Sequence, residues 1–91
     1  MDISYDPNKC EKNIAERGLS FELARNFEMA DALIVEDVRY AYPERRYQAL
    51  GYIGERLHML VFTPKNGVLH VISLRKANPR EVKRYEQAES E

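Results

Sequence analysis

"TPKNGVLHVISLRKANPREVKRYE", residues 63–86, decides the architecture of this chain. Asn66-Gly67 readily takes positive φ, and Pro64 presets φ for a type I turn before it. A hairpin therefore closes onto "VLHVISLR", residues 68–75. Asn78-Pro79 then pairs a capping side chain with a proline suited to the first helical position, so a helix follows the strand. Alternation along 68–75 places Val68, His70, Ile72 and Leu74 on one face. Leu69, Val71, Ser73 and Arg75 fall on the other, with Arg75 at the turn into the helix.

Such a hairpin needs strand partners, and the preceding sequence supplies them. "LHMLVFT" (57–63) and "YQALGYIG" (47–54) flank a short turn at Gly54-Glu55-Arg56, and "ALIVEDVR" (32–39) precedes both with a period near 2. "YAYPERR" (40–46) reads as a break, because Pro43 removes a ladder donor and charges follow it. Upstream, Asp2–Tyr5 reads as a short strand. Asp6 caps a helix that Pro7 opens and Gly18 stops after about Arg17. Ser20 caps a second helix with Phe21, Leu23, Ala24 and Phe27 on its apolar side. The expected fold class is α+β, in the order β-α-α-β-β-β-β-α. It is an antiparallel sheet with helices largely on one face, and residues 1–91 form a single domain.

Composition narrows the function classes. The chain has 91 residues, 44% of them apolar, and a formal net charge of −1, which suits a small globular domain and argues against general nucleic-acid binding. Cys10 is the only cysteine, so no intrachain disulfide forms. His58 and His70 are too few for a structural zinc set. The opening "MDISYDPNKC" lacks the basic-then-apolar order of a signal peptide, and no apolar run nears the roughly 18 residues of a membrane span. The expectation is a soluble, cytoplasmic protein without metal or cofactor and with no membrane partner.

Local charge carries more information. Arg75, Lys76, Arg80, Lys83 and Arg84 stand against Glu81 and Glu86, while "EQAESE" (86–91) is wholly acidic in its charges. A basic cluster at a strand end suits a phosphate, or it is neutralised by the acidic tail or an acidic partner. On the final helix Arg80 and Arg84 share one side, and Glu81 and Tyr85 another; on the first helix Lys9, Asn13 and Arg17 line a polar face. From spacing alone these are solvated helix faces. No G-x-x-x-x-G-K or G-x-G-x-x-G segment indicates a nucleotide cofactor, and neither histidine has the neighbours of a nucleophilic triad. Tyr40, Tyr42, Tyr47 and Tyr52 are expected to pack on the sheet.

Several segments, in order, resemble the BrnT toxins, ribonucleases of type II toxin–antitoxin systems with a RelE-like fold. They are "DPNK" with Asn13 four residues after Lys9, "RGLSFELA", the Asp37/Arg39 pair, "ERR" (44–46), and an ending close to ISxRKAxxxExxxYE. The resemblance implies an endoribonuclease that cuts RNA without a metal by 2′-OH attack on the adjacent phosphate, inhibits translation and growth, and is neutralised by an antitoxin. That partner would be a BrnA-like ribbon-helix-helix protein through which the complex, a heterotetramer, touches DNA. The chemistry suits an arginine-rich site, since a guanidinium offers fixed charge and a bidentate fork to phosphoryl oxygens. Arg75 and Arg80, helped by Lys9 and Arg39, are assigned to phosphate binding and transition-state stabilisation. Glu81 or Tyr85, with Glu44 behind them, is assigned to proton transfer. Asn13, Arg17, Arg45, Lys76 and Arg84 are assigned to RNA binding. Two positions depart from the family: Glu16-Arg17-Gly18 replaces a usual Lys-His-Gly, and His70 stands where Arg is frequent. Together they open the alternative of a weakened or non-catalytic binding module.

Overall fold

The structure, a computed structural model, describes residues 1–90; Glu91, the last residue of the acidic tail, lies outside the described residues. Five strands form one sheet: β1 (Ile3–Ser4), β2 (Leu33–Glu36), β3 (Tyr47–Ile53), β4 (Arg56–Lys65) and β5 (Val68–Lys76), in spatial order β1-β5-β4-β3-β2. Two α-helices, α1 (Pro7–Arg17) and α2 (Pro79–Glu89), complete a mixed α+β fold. β2 to β5 pair antiparallel, but β1 runs parallel to β5 through Ile3–Leu69 and Ser4–His70, so the sheet is mixed.

The capping chemistry forms as the sequence implies. The Asp6 side chain accepts from the Asn8 amide, Pro7 opens α1, and Gly18 ends it in the left-handed region at φ 70°. Asn66 and Gly67, at φ 53° and 79°, make a two-residue type I′ turn between β4 and β5. Pro64 is not part of that turn. It pairs with Leu69 inside β4, beyond Phe62, where β3 has ended and no ladder donor is needed on that side.

Two expectations about local conformation are corrected. The segment after Ser20 is a 3₁₀ helix, Phe21–Asn26, because its apolar anchors recur every third residue. Phe21, Ala24 and Phe27, all buried, stack on one side at three residues per turn. Alternation in β5 breaks at Ile72: Val61 pairs with Ser73 but Phe62 with Val71, which leaves one extra residue as a bulge. Val71 and Leu74 therefore share one face, and Ser73 and Arg75 the other.

Helices cover both faces. Cys10, Phe21, Ala24, Phe27, Ala49, Leu60, Phe62, Val71 and Leu74 form a core under α1 and the 3₁₀ segment. Leu50, Leu57, Met59, Ala77 and Tyr85 form a second core under α2, on the opposite face. The consecutive apolar residues Met59 to Phe62 require this, since a strand stretch apolar at every position must be buried on both sides.

α1 also closes the outer edge of β5. β1 covers only Leu69 and His70 there, and beyond it the Asn13 amide donates to the Leu74 carbonyl at 2.9 Å and to the Leu19 carbonyl at 2.8 Å. The side chain blocks an open strand edge and ties helix, loop and sheet together.

Candidate functional site

The segment after β2 folds around one buried carboxylate. The Asp37 amide donates to the Arg46 carbonyl at 2.7 Å, which turns the Asp37 side chain inward. That side chain is 1% exposed. An ionised carboxylate so placed must be surrounded by donors. Asp37 Oδ1 accepts from the Arg39 amide at 3.2 Å and from Arg39 Nε at 2.9 Å; Oδ2 accepts from Arg39 Nη2 at 2.9 Å and Tyr42 Oη at 3.2 Å. The Arg39 fork holds the Asp37 carboxyl far below the usual range, against the opposing effect of burial. Arg39 itself is 63% exposed, so its charge is fixed in direction and offered to solvent.

A second arginine is fixed by the first turn of α2. Asn78 and Glu81 form a capping box: Asn78 Oδ1 accepts from the Glu81 amide at 2.8 Å, and Glu81 Oε1 accepts from the Asn78 amide at 3.0 Å. Arg75 then donates from both nitrogens of its fork to Glu81, each at 2.8 Å. Glu81 is 13% exposed and Arg75 35%. The guanidinium lowers the Glu81 pKa, against burial and with help from the Asn78 amide. The Arg75 pKa is raised by Glu81, and lowered by burial and by the nearby Arg39 charge. Two guanidinium groups are thus each held through a bidentate fork by their own carboxylate.

These shifts predict the acid limb of stability. Asp37 and Glu81 have folded pKa values below their unfolded ones, so their contribution is present above about pH 4 and is lost as pH falls through the folded values. His58 adds a shallower limb: burial lowers its pKa, so folding resists its protonation as pH drops below about 6.5. Urea midpoints measured from pH 7 to pH 3 should fall first along the His58 limb and then along the carboxylate limb, and Asp37→Asn should flatten the lower limb. An unchanged lower limb in that variant would remove Asp37 from it.

The remaining assigned residues separate. Lys9 and Arg17 flank a groove of about 260 Å³ on the α1 side, with Lys12, Glu16, Ile72 and Ser73. Asn13 lies in that groove but is buried, its amide nitrogen committed to two carbonyls, so it is no part of a solvated face. Lys76, Arg80 and Arg84 are exposed at the end of β5 and on α2. Arg45 is exposed beside Glu36 at 4.0 Å. Glu44 lines a cleft of about 300 Å³ with Tyr40, Tyr42 and Pro43. Tyr85 is buried away from the arginine pair. Its hydroxyl donates to the Asp31 carbonyl at 3.0 Å, its ring meets Tyr52 edge-on at 5.6 Å, and burial raises its pKa. That environment is a packing contact.

The histidines are packing and rim residues, as expected. His58 is buried with Nδ1 at 2.8 Å from the Arg56 carbonyl, and His70 Nδ1 lies 2.9 Å from Ser4 Oγ. Of the four tyrosines expected to pack, Tyr47 stacks on Phe62 at 5.7 Å and Tyr52 meets Tyr85. Tyr40 does not pack on the sheet: it is 70% exposed, 6.0 Å from the Arg39 guanidinium. The sequence carried a signal for this, because Pro43 and the charges after it had already marked residues 40–46 as a break between strands.

A family model described as the ribonuclease toxin BrnT of type II toxin–antitoxin systems matches residues 5–81, a span that holds Lys9, Asp37, Arg39, Arg75 and Glu81 and ends before Tyr85. Among curated proteins, none matches the chain.

Proposed function

Because the chain belongs to the BrnT family of ribonuclease toxins of type II toxin–antitoxin systems, we propose that it is a metal-independent endoribonuclease whose scissile phosphate sits between Arg39 and Arg75. The observation that carries this reading is that Arg39 and Arg75 are each pre-oriented through both ends of the guanidinium by a carboxylate, Asp37 and Glu81. A guanidinium held in one orientation loses little freedom when it binds an anion. A phosphate has the charge and the paired oxygens that guanidinium forks recognise.

In this mechanism the ribose 2′-oxygen bonds to phosphorus and the bond from phosphorus to the 5′-oxygen breaks. The products are a 2′,3′-cyclic phosphate and a 5′-hydroxyl. Arg39 and Arg75 stabilise the charge that grows on the non-bridging oxygens. The incoming phosphate competes with Glu81 for the Arg75 fork, and the released carboxylate takes the proton of the 2′-hydroxyl. Water returns a proton to the leaving 5′-oxygen. Lys9 and Arg17, across β5, bind flanking phosphates, and Arg80, Arg84 and Lys76 add longer-range attraction. Tyr85 and Asn13 are left to the fold.

The system-level reading follows: a RelE-like toxin acting in the cytoplasm, inhibiting translation, and covered by a ribbon-helix-helix antitoxin in a heterotetramer that reaches DNA through that partner. Purified protein should cut single-stranded RNA in EDTA and leave cyclic phosphate ends. Products with 5′-phosphates, or activity lost in EDTA and restored by Mg²⁺, would reject the mechanism. One observation favours a second reading, a non-catalytic binding module: both arginines are already neutralised by carboxylates. Tight antitoxin binding without RNA cleavage or growth arrest would establish it.

A further inference from the structure

The geometry points to Tyr40 as a base-stacking platform that makes the substrate an unpaired nucleotide, its base on the Tyr40 ring and its phosphate on Arg39. This inference rests on the ribonuclease reading and deepens it by naming the substrate class. Tyr40 is unusual among the aromatic residues: Phe21, Phe27 and Tyr85 are buried, whereas Tyr40 is 70% exposed. Leaving a large ring in water forgoes the burial that stabilises the others and keeps a π-face free for a base.

The ring does not hang free. Tyr42 meets it edge-on at 5.9 Å between centroids. Tyr42 is in turn fixed at both ends: its hydroxyl donates to Asp37 at 3.2 Å, and the Arg46 guanidinium lies 4.1 Å from its ring centroid. The Tyr42 face is thus occupied by Arg46, whereas over Tyr40 the Arg39 guanidinium stands off at 6.0 Å and most of the ring remains exposed. Asp37 holds the pedestal and also orients Arg39, so one carboxylate positions the ring and the phosphate-facing cation together. Arg39 and Tyr40 are adjacent in sequence, and the separation of their groups, 6.0 Å, is on the scale of one nucleotide's phosphate and base. A base reaches this ring only when it is out of a duplex, since stacking on a loop tyrosine requires a free π-face. The cleft of about 300 Å³ beside Tyr40 leaves room for it.

A short 2′-O-methyl oligoribonucleotide binds without being cut, because its nucleophile is blocked, and so separates recognition from chemistry. Its affinity is measured by fluorescence anisotropy for wild type, Tyr40→Ala and Tyr40→Phe, with a duplex of the same sequence as a second probe. Tyr40→Ala should weaken single-strand binding about 5- to 100-fold. Tyr40→Phe should stay near wild type, and the duplex should bind less well than the single strand. The salt dependence should be the same in wild type and Tyr40→Ala, because stacking releases no counterions. Equal affinity of wild type and Tyr40→Ala would overturn the inference, as would a Tyr40→Ala defect confined to antitoxin binding. Failure of the ribonuclease reading looks different. There, wild type binds the oligonucleotide through Tyr40 yet leaves unmodified RNA intact.

Discussion

Arg75→Ala is expected to lower the rate of RNA cleavage about 100- to 1,000-fold, the usual cost of removing one donor aimed at developing negative charge. The expectation rests on placement. Arg75 leaves β5 on the α2 face and is fixed through both nitrogens of its fork to Glu81. Arg75→Lys should recover little, since an ammonium cannot reproduce the planar fork. Glu81→Gln provides the second half of the test. It keeps an acceptor for the Asn78 amide but no longer competes for Arg75 as an anion. KM should therefore fall, and kcat should fall with it as the base is lost. Circular dichroism on each variant checks that the fold persists, and steady-state kinetics on a defined RNA gives the split. An Arg75→Ala protein that cuts at the wild-type rate would take Arg75 out of the chemistry.

The largest effect on stability is expected at Asn13. Its amide nitrogen serves two carbonyls, Leu19 and Leu74, in a buried position. Asn13→Ala leaves both carbonyls without that donor, at about 1–3 kcal/mol for each one left unpaired and dry. Asn13→Asp should be worse at neutral pH, because it sets a carboxylate against two carbonyl oxygens. The fold then favours the protonated acid, so the folded pKa of this aspartate rises above the unfolded value of about 3.9. A raised value reverses the pH trend: this residue becomes less destabilising as pH falls, whereas native Asp37 and Glu81 become less stabilising. Denaturation midpoints at pH 7 and pH 4.5 test this. If Asn13→Asp is as stable as wild type at pH 7, Asn13 is not the tie described above.

Local chemistry was legible in the sequence where one or two residues decide the geometry. Asp6-Pro7, Asn66-Gly67 and Asn78-Pro79 each carry their own dihedral constraint, and the helix starts and the hairpin stand where those pairs put them. What stayed hidden depends on pairing. Ile72 looks like any strand isoleucine until the register shows Val61 opposite Ser73 and Phe62 opposite Val71. α2 lies on the face away from α1, although the unbroken apolar run Met59 to Phe62 was a usable hint of burial on both sides. For the site, the basic sum around Arg75 was visible, but not that Glu81 takes up the Arg75 fork. Asn13 passed as a polar helix residue because spacing cannot distinguish an amide facing water from one facing two carbonyls.

The extra residue in β5 has a consequence for how this chain tolerates change in length. It acts as a phase shifter: the half of β5 before Ile72 and the half after it keep opposite inside–outside conventions. Deleting Ile72 would remove the bulge and leave regular alternation, with Val71 and Leu74 still on one face and Arg75 on the other. Each half can accept substitutions that respect its own parity, and Ile72 is the position where this strand can lose a residue without exchanging recognition surface for core; an uncompensated shift elsewhere in the strand makes that exchange.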